Sequence, residues 1–191
     1  MTDDTVPKSN PPWKRRMLWS VLPVVVALIA LGWWAVRAKT HLRVGDAAPE
    51  FSLPGTDGEL HSSAGLRGRT YVIAWYPKAF TPACTSQCKS LGGSRRLHAF
   101  DAVVFAASCD DFVQNQKFAD SVAADFPILS DPDGKAAAAF GVKTPIGFAS
   151  RTLFIVGPDG KILDIEDSPN TADQAGELAD KFERLGVPKK T

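Results

Sequence analysis

Excess charge of either sign is missing from this sequence. Its 191 residues carry 22 Lys and Arg against 21 Asp and Glu, a formal net charge of +1. Beyond His41 the balance is 16 basic against 19 acidic residues, or −3. A nearly neutral, slightly acidic domain has no electrostatic footprint for nucleic acid, so no nucleic-acid partner is expected. Histidine is scarce: His41 falls in a connecting segment, His61 near an expected hairpin and His98 at an expected helix end, and none is assigned a catalytic role. Internal repeats and low-complexity tracts are absent; the run Ala136 to Ala139 is simply a good helix former. What is present is 45% hydrophobic content, ordinary for a globular protein, in a length that allows one domain plus an extra segment.

The extra segment is N-terminal. Met17 to Val36 carries no charge for twenty residues, and a helix of that length spans roughly the 30 Å of a bilayer core. Trp13 and Trp19 near one end and Trp33 and Trp34 at the other stand where interfacial indoles are expected, and Pro23 is tolerated in such a helix. A cleaved signal peptide is the competing reading. Its apolar region would be shorter, about 7 to 15 residues, and no A-x-A site follows. The expected organisation is a disordered tail over 1–16, a single transmembrane anchor over 17–36, a tether over 37–43 and a folded domain over 44–191. The compact cluster Lys14-Arg15-Arg16 at the N-terminal boundary places that domain on the extracytoplasmic side of the membrane.

Within the domain the pattern alternates. Phe51 and Leu60 flank turn residues Gly55 to Gly58 and suggest a hairpin. Strands are expected over Tyr71 to Tyr76 and Val103 to Ser108, with helices over Thr85 to Phe100, interrupted at Gly92-Gly93, and over Asp111 to Ala124. A short segment Pro127 to Leu129 precedes a helix ending at Phe140. Thr152 to Val156 and Lys161 to Glu166 flank the turn Gly157-Pro-Asp-Gly160 as a second hairpin. The last helix has a Thr171-x-x-Gln174 capping box, an apolar stripe through Leu178 and Phe182, and Gly186 then Pro188 as its stop. This order fits an α/β domain with a thioredoxin-like fold, a central mixed sheet flanked by helices.

Chemistry concentrates just past the first apolar strand, in Tyr76-Pro-Lys-Ala-Phe-Thr-Pro-Ala-Cys-Thr-Ser-Gln-Cys88, where Pro77, Thr81 and Cys84 have the spacing P-x-x-x-T-x-x-C. A cysteine at the mouth of a helix sits where unpaired backbone N–H groups and the helix dipole stabilise an anionic sulfur. Arg151 follows about seventy residues on, directly before an expected strand. Singly, Pro77 and Pro82 would mark a turn, Thr81 would cap a helix and Arg151 would form a surface ion pair. Together and in this order they resemble the active site of the peroxiredoxin family, over most of Val44 to Leu185, and in particular members of the peroxiredoxin Q (bacterioferritin comigratory protein) type.

The resemblance implies a thiol-dependent peroxidase reducing hydrogen peroxide or alkyl hydroperoxides without metal or organic cofactor. Thr81 and Arg151 would bind the peroxide and the Cys84 sulfur, the Cys84 N–H would add a donor, and Pro77 would shield the sulfur. The product would be a sulfenic acid, and a thioredoxin-like dithiol would supply electrons. The chemistry agrees. An ordinary thiol is a few per cent ionised at neutral pH, so full ionisation gains at most roughly thirtyfold, and a more acidic thiol is a weaker nucleophile. Donors aimed at the transition-state oxygens must supply the rest, a task suited to an arginine.

Cys88 is the expected resolving cysteine, although relatives of this type usually place it five residues after the first rather than four. On an intact helix, i and i+4 Cβ atoms lie about 5 to 6 Å apart, whereas a disulfide needs about 3.5 to 4.5 Å, so the first turn must loosen. A one-cysteine cycle with Cys88 as a core residue, and Cys109 as a second candidate resolver on the same sheet edge, are the alternatives. Two other families stay in view. A Sco-type copper chaperone has C-x-x-x-C after a strand, but it would need a third ligand, and no His follows His98. Membrane-anchored thiol-disulfide oxidoreductases carry C-x-x-C and a Pro before the Thr-containing strand, and neither mark is present here.

Overall fold

The computed structural model describes residues 41–190. Its elements in chain order are β1 (Ser52–Pro54), β2 (Leu60–Ser62), β3 (Thr70–Trp75), α1 (Pro82–Leu91), α2 (Arg95–His98), β4 (Ala102–Ser108), α3 (Phe112–Val122), β5 (Ile128–Ser130), α4 (Lys135–Ala139), β6 (Thr152–Val156), β7 (Ile162–Asp167) and α5 (Gln174–Leu185). The main sheet has the order β5-β4-β3-β6-β7. β3, β4 and β5 run parallel, while β6 and β7 are antiparallel to their neighbours. Residues 1–40, and with them the expected tail and membrane helix, lie outside the described residues. Among the described residues no helix is long and apolar enough to cross a membrane.

All six residues of β3 are buried, because helices or the N-terminal hairpin cover both faces of this central strand. That is why it is apolar throughout rather than alternating. Successive side chains still point to opposite faces. Val72 and Ala74 pack under α1, α3 and α5 with Leu91, Phe118, Leu178 and Phe182. Tyr71, Ile73 and Trp75 pack on the other side with Phe51, Phe105, Phe140 and Phe154. Burial of each such large side chain contributes about 1.5–3 kcal/mol, and two layers of them hold the sheet rigid behind the loops at its edge.

The helix expected to be interrupted at Gly92-Gly93 is two helices, because Gly92 ends α1 in extended backbone and Gly93 follows at φ +69°. One boundary differs from the sequence pattern. The capping box before α5 does not form: Asp173 is its N-cap and makes no side-chain capping bond. Neighbouring α1 supplies the partners instead. Ser90 Oγ accepts from the Ala175 N–H at 3.2 Å, and Ser86 Oγ donates to the Thr171 carbonyl at 3.1 Å.

This topology positions the site. The C-terminal ends of the parallel strands β3 and β4 share one edge of the sheet. β6 enters at that same edge because it is antiparallel, with Ala74 opposite Leu153. Arg151, immediately before β6, is thereby delivered beside the loop that leaves β3.

Candidate active site

The loop from β3 into α1 is held from outside itself. Tyr76 N–H continues the ladder to the Ala107 carbonyl at 2.9 Å. Half-buried Pro77 then ends it, having no N–H to donate. Asp110, buried just past β4, accepts the Ala79 N–H at 2.8 Å through one carboxylate oxygen and pairs with the Lys78 ammonium through the other. Phe80 adopts φ +64°, a left-handed conformation that costs a non-glycine residue roughly 1–2 kcal/mol. Its ring stacks edge-on against Phe118 at 5.3 Å, which offsets part of that cost.

Thr81 is the N-cap of α1 and Pro82 its first residue, but Thr81 makes no capping bond. Its hydroxyl donates to the Lys78 carbonyl at 3.0 Å. The first helical bond runs from the Thr85 N–H to the Thr81 carbonyl at 2.9 Å, which leaves the Cys84 N–H without a backbone partner. Cys84 is fully buried. Arg151 Nη2 lies 3.4 Å from Cys84 Sγ, and Nη1 donates to Gln87 Oε1 one turn further along α1. Neither contact is with a carboxylate, so the guanidinium charge is directed at the sulfur.

Of the five residues singled out by sequence, the structure joins Cys84 and Arg151 directly. Thr81 and Pro77 stand in the segment that leads to Cys84, with the Thr81 hydroxyl bonded to Lys78 rather than to sulfur. Cys88 lies fully buried one turn below Cys84 on intact α1, and Cys84, Cys88 and Cys109 are all free thiols. Burial chiefly, with the Cys84 charge adding and Arg151 opposing, pushes the Cys88 thiol up to about 12. Cys109 is half-buried against the Phe105 and Phe140 layer, on the opposite sheet face from Cys84 and Cys88. Burial first, then Asp131 and Asp110 against Lys143, pushes its thiol up to about 11. It shares an edge with Cys84 as expected, but the sheet separates the two side chains.

Two contributors escaped the sequence reading. Gln87 sits three residues after Cys84, a spacing that shares a helix face and was the available signal. Asp110 follows strand β4, whose end faces the site. Beneath it, Ser108, Asn115, Ser130 and Tyr76 form a buried network, with Tyr76 Oη donating to Asn115 Oδ1 at 2.7 Å and Asn115 Nδ2 to Ser130 Oγ at 2.9 Å. Burial raises the Tyr76 hydroxyl above its usual range, which keeps it a donor.

A buried thiol at an open helix N-terminus, facing an unneutralised arginine on a thioredoxin-like sheet, defines a thiol-dependent peroxidase. Residues 44–165 match the model of the AhpC/TSA family. The chain is 33% identical to peroxiredoxin Bcp of Escherichia coli strain K12 over 139 residues, covering 69% of this chain and 89% of that protein. The chain belongs to the AhpC/TSA family. Among solved structures, peroxidoxin BcpB from Mycobacterium tuberculosis is 31% identical with a TM-score of 0.68, covering 75% of this chain and 97% of that one. A mutant of Xylella fastidiosa PrxQ superposes with a TM-score of 0.70 at 20% identity, over 78% of this chain and 99% of that one, a likeness of fold. These matches do not favour the copper-chaperone or disulfide-oxidoreductase alternatives.

Proposed function

We propose that Cys84 is the peroxidatic nucleophile of this peroxidase and that hydrogen peroxide or alkyl hydroperoxides are its substrates. The observation that carries this reading is the Arg151 guanidinium 3.4 Å from Cys84 Sγ. The thiolate attacks one peroxide oxygen and becomes a sulfenic acid, while the other oxygen leaves as hydroxide or alkoxide and takes up a proton. Arg151 and the open Cys84 N–H donate towards the position where that charge develops, the Thr81 oxygen, its own proton given to the Lys78 carbonyl, accepts from the peroxide hydroxyl, and Pro77 limits water access. Cys88 then attacks the sulfenic sulfur, forming the Cys84 to Cys88 disulfide and releasing water. Because Cys88 is buried and protonated in intact α1, this step requires the first turn to unwind. A thioredoxin-like dithiol returns the two electrons.

The N-terminal residues complete the proposal: a tail over 1–16, a single-pass anchor over 17–36 and a tether over 37–43 hold domain 44–191 at an extracytoplasmic membrane face. The uncharged run and its flanking tryptophans support this; recovery of the full-length protein in the wash of carbonate-treated membranes would refute it. For the chemistry, the reduced full-length protein is mixed with hydrogen peroxide in a stopped-flow instrument and the quenched product is mapped by mass spectrometry. Rapid oxidation at Cys84, then loss of water as the bridge to Cys88 forms, leaving a product two hydrogens lighter than the dithiol, is expected, and Cys84→Ser abolishes turnover. Oxidation no faster than that of a free thiol defeats the assignment. Retained steady-state activity in Cys88→Ser with a dithiol donor assigns the resolving step elsewhere.

A further inference from the structure

Eight large hydrophobic side chains stand exposed among the described residues, and five of them lie on or against the segments that lead to Cys84 and Arg151. Phe80 (53% exposed) and Val113 (60%) join Phe112 on the Cys84 side. There they line a groove of about 580 Å³ with Asp111, Gln114 and Lys117. Ile146 (62%) and Phe148 stand on the other side, in the loop that leads to Arg151. Lys78 links the two halves: its ammonium lies 5.8 Å from the Phe148 ring centroid, two residues before Phe80. Apolar patches with a polar rim mark interaction surfaces on soluble domains. Holding Phe80 outward in a left-handed conformation adds backbone strain to the cost of exposing it.

We infer that this divided apolar collar is the docking surface for the dithiol protein that reduces the Cys84 to Cys88 bridge, an inference that rests on the function proposed above. Phe80 stands four residues before Cys84 and Phe148 three before Arg151, so a protein thiol that attacks the bridge at Cys84 approaches past the segments that carry these side chains. One thiolate of the partner attacks a bridge sulfur, forms a mixed disulfide and expels the other sulfur as a thiolate. The partner's second thiol then displaces the mixed disulfide, so two electrons and two protons pass to this chain as the partner is oxidised. The collar lies along both of these segments, and a permanent occupant bridging them would shut out peroxide, which fits a transient visitor rather than a second copy. The charges narrow the partner's face. Asp110 holds Lys78, and Asp111 caps α3, whereas Lys117 has no ion-pair partner among the described residues. The occupant therefore presents an apolar centre and a carboxylate opposite Lys117.

The test compares two donors on full-length protein: dithiothreitol, which needs no docking surface, and thioredoxin recycled by thioredoxin reductase and NADPH. Val113→Asp and Ile146→Asp should each lower kcat/KM for thioredoxin tenfold or more, and Lys117→Glu severalfold. The dithiothreitol-supported rate and the peroxide step should stay at wild-type values. Unchanged thioredoxin kinetics in both aspartate variants overturns the inference. So does equal loss with both donors, failure of thioredoxin to reduce the wild type, or a wild-type dimer that dissociates in the variants, which would assign the collar to a second copy. Absence of peroxide turnover with dithiothreitol in the wild type would instead defeat the function on which the inference rests.

Discussion

Helices α1 and α3 begin alike and are finished differently. Each follows a parallel strand at the same edge of the sheet, each has an oxygen-bearing N-cap, and each packs on the same sheet face. In α3, Asp111 accepts the Gln114 N–H at 2.8 Å and closes the helix end with its own side chain. In α1 the residue three after the cap is Cys84, its N–H is open, and Thr81 turns its hydroxyl to Lys78. Seven residues after the cap, α3 buries Phe118 and α1 buries Cys88. The same local architecture thus serves stability where its donors are satisfied internally, and chemistry where they are left for an incoming oxygen.

Removing the external cation is the strongest way to collapse this difference. Arg151→Met should lower the rate constant for Cys84 oxidation by about 10²- to 10³-fold, the usual cost of losing one transition-state donor; stopped-flow measurement with hydrogen peroxide checks it. The second-largest effect is on stability. The Cys88 thiol is raised from 9.0 to about 12, so the folded protein keeps a proton that the unfolded chain releases between those values. Its contribution, on the order of 4 kcal/mol, is complete below about pH 9 and is lost as pH climbs toward 12. Denaturant titrations from pH 8 to 11 should show a shallower alkaline loss in Cys88→Ala than in the wild type. Cys109 and Tyr71 contribute to the alkaline loss in both proteins, so the difference reports Cys88 together with its charge coupling to Tyr76.

Making α1 resemble α3 tests the idea directly. Thr81→Asp should cap the helix, set a negative charge near the sulfur and slow oxidation by about tenfold while leaving the fold intact. An unchanged rate would show that the open cap is incidental. The reverse change is the mildest: Asp111→Ala should cost about 1 kcal/mol of stability with little effect on the rate constant for oxidation.

The strands and the Thr81 to Cys84 spacing were readable from sequence because periodicity and short spacing are local properties, whereas the meeting of Cys84 with Arg151, 67 residues on, was expected only through the family resemblance. The helix break at Gly92-Gly93, also local, was readable. Gln87 and Asp110 were not, since each matters only through an atom on another element: Arg151 Nη1 for the first, the Ala79 N–H for the second. The capping box before α5 misled for a related cause. Thr171 and Gln174 satisfy a local signature, yet Ser90 of α1 reaches the helix start and supplies the partner there. Cys109 shows the limit most plainly, because strand position gives the edge of the sheet, while only the register of the whole sheet decides the face.

Those serines of α1 carry a further consequence. Ser86 lies between the two cysteines and holds the Thr171 carbonyl, so a turn that unwinds to let sulfur meet sulfur must let go of the segment before α5. Oxidation at one end of the molecule is thereby transcribed into a freed Thr171 carbonyl and a loosened segment leading into α5. A helix that never meets peroxide becomes a gauge of how much peroxide has been met, legible by hydrogen exchange at the α5 N-terminus.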